Sequence, residues 1–183
     1  MSSGRGPIMV IGIGNVLLRD DGVGVHVIHE LERRAARGDA LLPPHTQLVD
    51  GGTLGLDLLS LIVGARGVLF LDAAFLGGAP GDVTVLRGDA LRARRGGARA
   101  VLPAGVDDLL AAARVADLLP KAVSMVGVEP GEIAAGLDLT AAVEAALPAA
   151  AAAATEELWR LNGIASAWQR HSGLAHVATG CGA

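Results

Sequence analysis

Apolar residues along the chain gather in short runs, separated by longer stretches in which they recur every third or fourth position. The short runs, Met9–Ile13, Thr46–Val49, Gly67–Leu71 and Ala122–Val128, are aliphatic or β-branched and predict strands. The longer stretches, at about Gly22–Arg37, Leu54–Val63, Val106–Leu118 and Thr140–Leu161, predict helices. In the first of them Val23, Val27, Ile28 and Leu31 form one buried stripe, which leaves Glu30, Arg33, Arg34 and Arg37 to solvent. Strand–helix alternation in this order predicts an α/β fold of three layers, with a mostly parallel, twisted sheet of about five strands covered by helices on both faces. The run Asp82–Leu86, after the turn-rich GGAPG, adds an edge or hairpin strand. The segment GDALRARRGGARA that follows reads as a mobile loop, basic from Arg92 to Arg99.

Residues 1–161 read as one domain, and residues 162–183 as a poorly ordered C-terminal tail in which the pattern dissolves. Composition supports a single core, since 51% of the 183 residues are hydrophobic and only 19% are charged. A net charge of −4 argues against nucleic acid or an anionic membrane as partner. The Ala-rich stretch Thr140–Ala154 is interrupted by Glu144 and Pro148 and falls short of the ~20 apolar residues of a span, so it is expected to lie on the sheet. The lone cysteine, Cys181, excludes a disulfide framework or a cysteine-built metal site within one chain. With an N-terminal apolar run that breaks at Gly12, too short for a signal core, this points to the cytoplasm.

The stretch IGIGNVLLRDDGVGVHV, residues 11–27, poses the chemical question. A dinucleotide fingerprint requires a third glycine where Leu17 stands, and Asp50 lies further along than the ~20 residues expected of a ribose-binding acid. No Gly-Lys-Ser/Thr of a Walker loop follows either. A nucleotide-binding reading therefore rests on Gly12 and Gly14 alone. The carboxylates are more informative. With strand order 2-1-3, Asp20 and Asp21 leave the first strand, and Asp72 the third, at the carboxyl edge where ligands sit in open α/β sheets. Asp20 is assigned the structural role of a helix cap, and Asp21 and Asp72 the functional ones. Glu129 leaves the fourth strand at the same edge, and Asp107 and Asp108 open the neighbouring helix. His45 precedes a strand and belongs at the amino edge; His26 and His29 read as an ordinary helix surface, and His171 and His176 fall in the tail.

Taken in order, GIGNVLLRDDGVGVHV, LVDGGTLGLDLL, GVLFLDAA, GVDDLL and VSMVGVEP resemble the motifs of the [NiFe]-hydrogenase maturation endopeptidases, from about Met9 to Leu158. The resemblance implies a five-stranded α/β fold and removal of a C-terminal extension from the hydrogenase large-subunit precursor after nickel insertion. It implies catalytic and metal-contacting roles for Asp21 and Asp72, and a substrate-facing turn at Gly51, Gly52 and Thr53, where Thr53 also fits a helix cap. Nickel would arrive with the substrate, with no permanently bound cofactor. The family's third contact is a histidine three residues before Gly105, where this chain has Leu102. Glu129, Asp107 or Asp108 are candidates for a third oxygen ligand, Glu129 foremost. A relative that docks the precursor without cutting it is the alternative that Leu102 raises.

Overall fold

The computed structural model describes residues 6–93, 106–120 and 122–171. Five strands, β1 (Ile8–Ile13), β2 (Thr46–Gly52), β3 (Gly67–Ala73), β4 (Val83–Arg87) and β5 (Ala122–Val128), form one sheet in the order β2-β1-β3-β5-β4. All neighbours are parallel except β4, which runs antiparallel to β5 at the edge. The central strands are buried on both faces, which is why they read as continuous apolar runs rather than as alternating ones.

Among the described residues five α-helices accompany the sheet: α1 (Val23–Arg37), α2 (Leu59–Ile62), α3 (Gly88–Ala93), α4 (Val106–Val115) and α5 (Ala141–His171). Residues on alternate sides of the strands divide the core in two. Val10, Leu69, Leu71 and Val126 pack with Ile28 and Leu31 of α1 and Ala150, Ala154 and Leu158 of α5. Ile11, Val68, Phe70 and Met125 pack on the other face with Ile62 and with Leu109 of α4. Small alanines on α5 let that helix lie close to both α1 and the sheet. The three-layer, mostly parallel α/β architecture is the one the sequence predicts.

The departures have local causes. Only one turn of α-helix forms between Leu54 and Val63, preceded by a 3-10 turn at Gly55–Leu58, because left-handed backbone at Gly55 and Gly64 bounds the segment. Thr53 does not cap that turn; Leu54 occupies the position and makes no side-chain capping bond. Residues 88–93 are helical where a loop was expected, and residues 94–100 of that segment lie outside the described residues. The helix α4 ends at Val115, short of Leu118, where Asp117 turns left-handed with a φ of 54°. Of the tail expected from Asn162, residues 162–171 continue α5, and the remainder, with His176 and Cys181, lies outside the described residues. Glu30, expected in solvent, is buried and paired with Arg33 and Arg34.

Candidate active site

At the carboxyl edge β1 runs through Gly14 into a short loop and a 3-10 turn, Arg19–Gly22, that leads into α1. Close backbone packing defines this junction. A Cβ on Gly14 would collide with the Asp21 carbonyl, and one on Gly24 with the carbonyls of Ile13 and Leu71 at the ends of β1 and β3. The glycines of the opening motif thus seat the start of α1 directly on two strand ends. They serve backbone approach, and no phosphate cradle is required to explain them.

Asp21 sits in this junction with only 9% of its surface exposed, and its Oδ2 accepts the Asn15 N–H at 2.8 Å. Burial pushes its pKa up from the ordinary carboxylate value, and the Asn15 hydrogen bond offsets only part of that push. Asp72 is equally buried, at the end of β3, where it stands beside Gly127 of β5. The 3-10 turn that carries Asp21 packs against β3. The structure therefore brings the ends of β1 and β3, and with them Asp21 and Asp72, to one edge of the sheet.

Asp20 is structural, though not as a cap of its own helix, where no side-chain capping bond forms. Its carboxylate, fully buried, reaches the loop that follows β5. There it accepts the backbone N–H groups of Gly131, Glu132 and Thr140 and the Thr140 hydroxyl at 2.7–2.9 Å. Burial opposes the charge, but the Thr140, Glu132 and Gly131 donors outweigh it and hold the pKa below the ordinary value. The acid left of the adjacent pair is Asp21.

Glu129 is buried at the same edge, and its Oε2 accepts the N–H groups of Leu76 at 2.7 Å and Gly78 at 3.2 Å, which anchors the loop between β3 and β4. Among the described residues no group of three or more His, Cys, Asp or Glu is arranged to hold a metal ion, so Asp21, Asp72 and Glu129 do not form one. Leu102 and Gly105 lie outside the described residues. Asp107 and Asp108 open α4 as expected. His45 lies at the amino edge, exposed, where its carbonyl accepts the Ile8 N–H. His26 and His29 pack edge to face on α1, with His29 Nε2 3.8 Å from the Asp50 carboxylate. His26 Nε2 is buried without a hydrogen-bond partner. Burial lowers the His26 pKa, as does the neighbouring His29.

The turn at Gly51, Gly52 and Thr53 borders the same edge. Gly52 pairs with Ile13 past a bulge that leaves Gly51 without a partner on β1, and the Gly52 carbonyl accepts the Gly14 N–H at 3.0 Å. A Cβ on Gly51 would press on Ile11 and the Gly12 carbonyl, so the glycine lets β2 close onto β1. Two features escaped the sequence reading. Asn15 positions Asp21 through a backbone N–H, which no side-chain motif announces. Around the acids the loops present exposed apolar side chains, Val16 and Leu17 after β1, Leu54 and Leu56 after β2, Phe75 and Leu76 after β3. Their signal is apolar residues in turns that lead out of the carboxyl edge, a pattern of contact surfaces.

A family model described as hydrogenase maturation protease matches residues 25–157. Hydrogenase 2 maturation protease of Escherichia coli strain K12 is 33% identical over 139 residues, 75% of this chain and 82% of that protein. The hydrogenase expression/formation protein HupD of Rhodobacter capsulatus is 33% identical over 153 residues, 82% of this chain and 70% of that one. The solved structure of the hydrogenase maturating endopeptidase HybD from Escherichia coli matches with a TM-score of 0.70 at 32% identity, covering 81% of this chain and 89% of that one. The ordered motifs, the five-stranded sheet with its antiparallel edge and these likenesses agree: the chain belongs to the hydrogenase maturation protease family.

Proposed function

We propose that the chain is an endopeptidase that removes the C-terminal extension of a [NiFe]-hydrogenase large-subunit precursor after nickel has been inserted. The observation that carries this reading is that two nearly buried acids, Asp21 and Asp72, stand at the same edge of the sheet, beside the ends of the adjacent strands β1 and β3. Burial disfavours the charged form of a carboxylate, as it does for Asp21, and a divalent cation engaged by both acids offsets that cost. Nickel carried by the precursor accepts carboxylate oxygens as ligands, so Asp21 and Asp72 read its presence directly. The metal is part of the substrate, and no resident cofactor is needed.

With the ion in place, one of the two carboxylates, or a water held between them, promotes attack on the scissile amide. Attack proceeds by a general-base route or with the ion polarising the carbonyl. Gly51, Gly52 and Thr53 offer backbone to the passing peptide, and the apolar rim of Leu17, Leu54 and Phe75 gives a polypeptide substrate a surface to cover. The cytoplasm is the proposed compartment, on the ground of the lone cysteine. No described helix is long and apolar enough to cross a membrane.

A second reading, docking without cleavage, is favoured by Leu102, which can neither bind a metal nor carry a proton. Purified protein incubated with nickel-loaded precursor decides between them. The peptidase reading expects the intact mass of the precursor to fall by that of the extension, and no fall when nickel is omitted. Binding without any fall in mass, even at high protein concentration, establishes the docking reading instead. Activity that appears only in Leu102→His assigns the defect to the missing imidazole.

A further inference from the structure

At the amino edge of the sheet, opposite the acids, lies a cavity of about 590 Å³ bordered by the end of β4, the start of β5, α3, α4 and α5. The seven residues of β5 separate it from the acidic edge by about 20 Å. Three arginines line it, Arg87, Arg114 and Arg160, together with the apolar Leu91, Leu110 and Leu119. Its volume falls in the range of small-molecule sites, about 300–1,000 Å³.

Two of these arginines are held in place by one acid. Glu157 has a completely buried side chain; its Oε2 accepts Arg87 Nε at 2.8 Å and Nη2 at 2.7 Å. Its Oε1 accepts Arg160 Nε at 2.7 Å together with Arg160 Nη2, which also donates to Ser124 Oγ at 2.8 Å. Those bonds use the Nε and Nη2 groups, and neither Nη1 takes part in them. A single carboxylate thus orients two guanidiniums and neutralises one. Among the described side chains Arg114 has no acid within ion-pair distance, and Asp117 is the only acid on the cavity wall. Among the described residues the cations therefore outnumber the acids here, on a chain whose net charge is −4.

We propose that this cavity is a binding site for a small organic oxyanion, a carboxylate or phosphate carried on an apolar body. Arginine forks match the paired oxygens of either head group, and those of Arg87 and Arg160 are already ordered before a ligand arrives. Leu91, Leu110 and Leu119 receive the apolar part. The site is remote from Asp21 and Asp72 and does not depend on the peptidase reading.

Thermal unfolding of the full chain, titrated with inorganic phosphate or with glutarate at ionic strength held constant with sodium chloride, tests this. A saturable rise in Tm with either anion is expected. Arg114→Ala and Arg114→Gln should weaken that binding about tenfold or more, whereas Arg37→Ala, at the far end of α1, should leave it unchanged. Arg114 is exposed and on the helix surface, so both variants are expected to fold, as their Tm without anion verifies. A stronger response to phosphate identifies a phosphate ligand, and a stronger response to glutarate a carboxylate. No rise beyond that of salt, or the same affinity in the Arg114 variants, overturns the proposal.

Discussion

Neighbouring aspartates at positions 20 and 21 do opposite things, and their surroundings decide which does what. Asp20 is saturated by four donors that lie more than a hundred residues away in sequence, so its role was visible in the sequence only as "structural", and the cap assigned to it was wrong. Asp21 accepts the Asn15 N–H and sees little solvent, so ionising it costs stability. A folded-state pKa raised above the ordinary 3.8 means that the native state holds the proton more tightly than the unfolded chain does. Stability is then highest below pH 3.8 and declines as pH rises through the raised value. Asp21→Asn should therefore unfold at a Tm equal to the parent's or about 2 °C higher at neutral pH, while precursor cleavage falls about 100-fold or more. For Asp20 the sign is reversed. Its depressed pKa stabilises the fold above pH 3.8 and ceases to do so as pH falls through the depressed value. Asp20→Ala strands buried donors, and denaturant unfolding should show a loss of about 3 kcal/mol.

Among the elements, strands and long helices were legible because the apolar pattern is set by burial on both faces of the sheet, as in β1, β3 and β5. Short elements were not. α2 is a single turn and α3 six residues long, too short for a helical period to register, and Gly88 begins α3 with left-handed backbone. The apolar pattern dissolves from Asn162, yet α5 continues through Gly163, which faces open space. The attachment of α5 to the edge strand β4 depends on Glu157, whose contacts with Arg87, Arg160 and Ser124 lower its pKa from 4.5 to about 2 against the effect of burial. This contribution is fully present above pH 4.5 and is lost as pH falls toward 2. Glu157→Gln should cost roughly 3–5 kcal/mol at neutral pH, and the variant's stability should change less than the parent's between pH 5 and about 2 in acid-titrated unfolding curves.

At the scale of the molecule, the sheet carries different chemistry at its two edges. The carboxyl edge presents two acids within an apolar rim, and the amino edge an arginine-lined cavity. The first was legible because strand order alone brings distant strand ends together. The second was not, since Arg87, Arg114 and Arg160 share no local motif and meet only through packing. If the rim seats the precursor, Leu17→Asp and Leu54→Asp should raise KM about fivefold or more and leave kcat within about twofold, because they remove binding common to ground and transition states.

The most direct measurement is the rate at which nickel-loaded precursor loses its extension when treated with the parent, Asp21→Asn, Asp72→Asn and the double variant. Two acids that engage one ion act as a unit, so each single change should abolish most of the activity and the double should be no slower than the slower single. Rates that multiply as independent losses, or a single variant that cleaves as fast as the parent, would contradict joint action by Asp21 and Asp72.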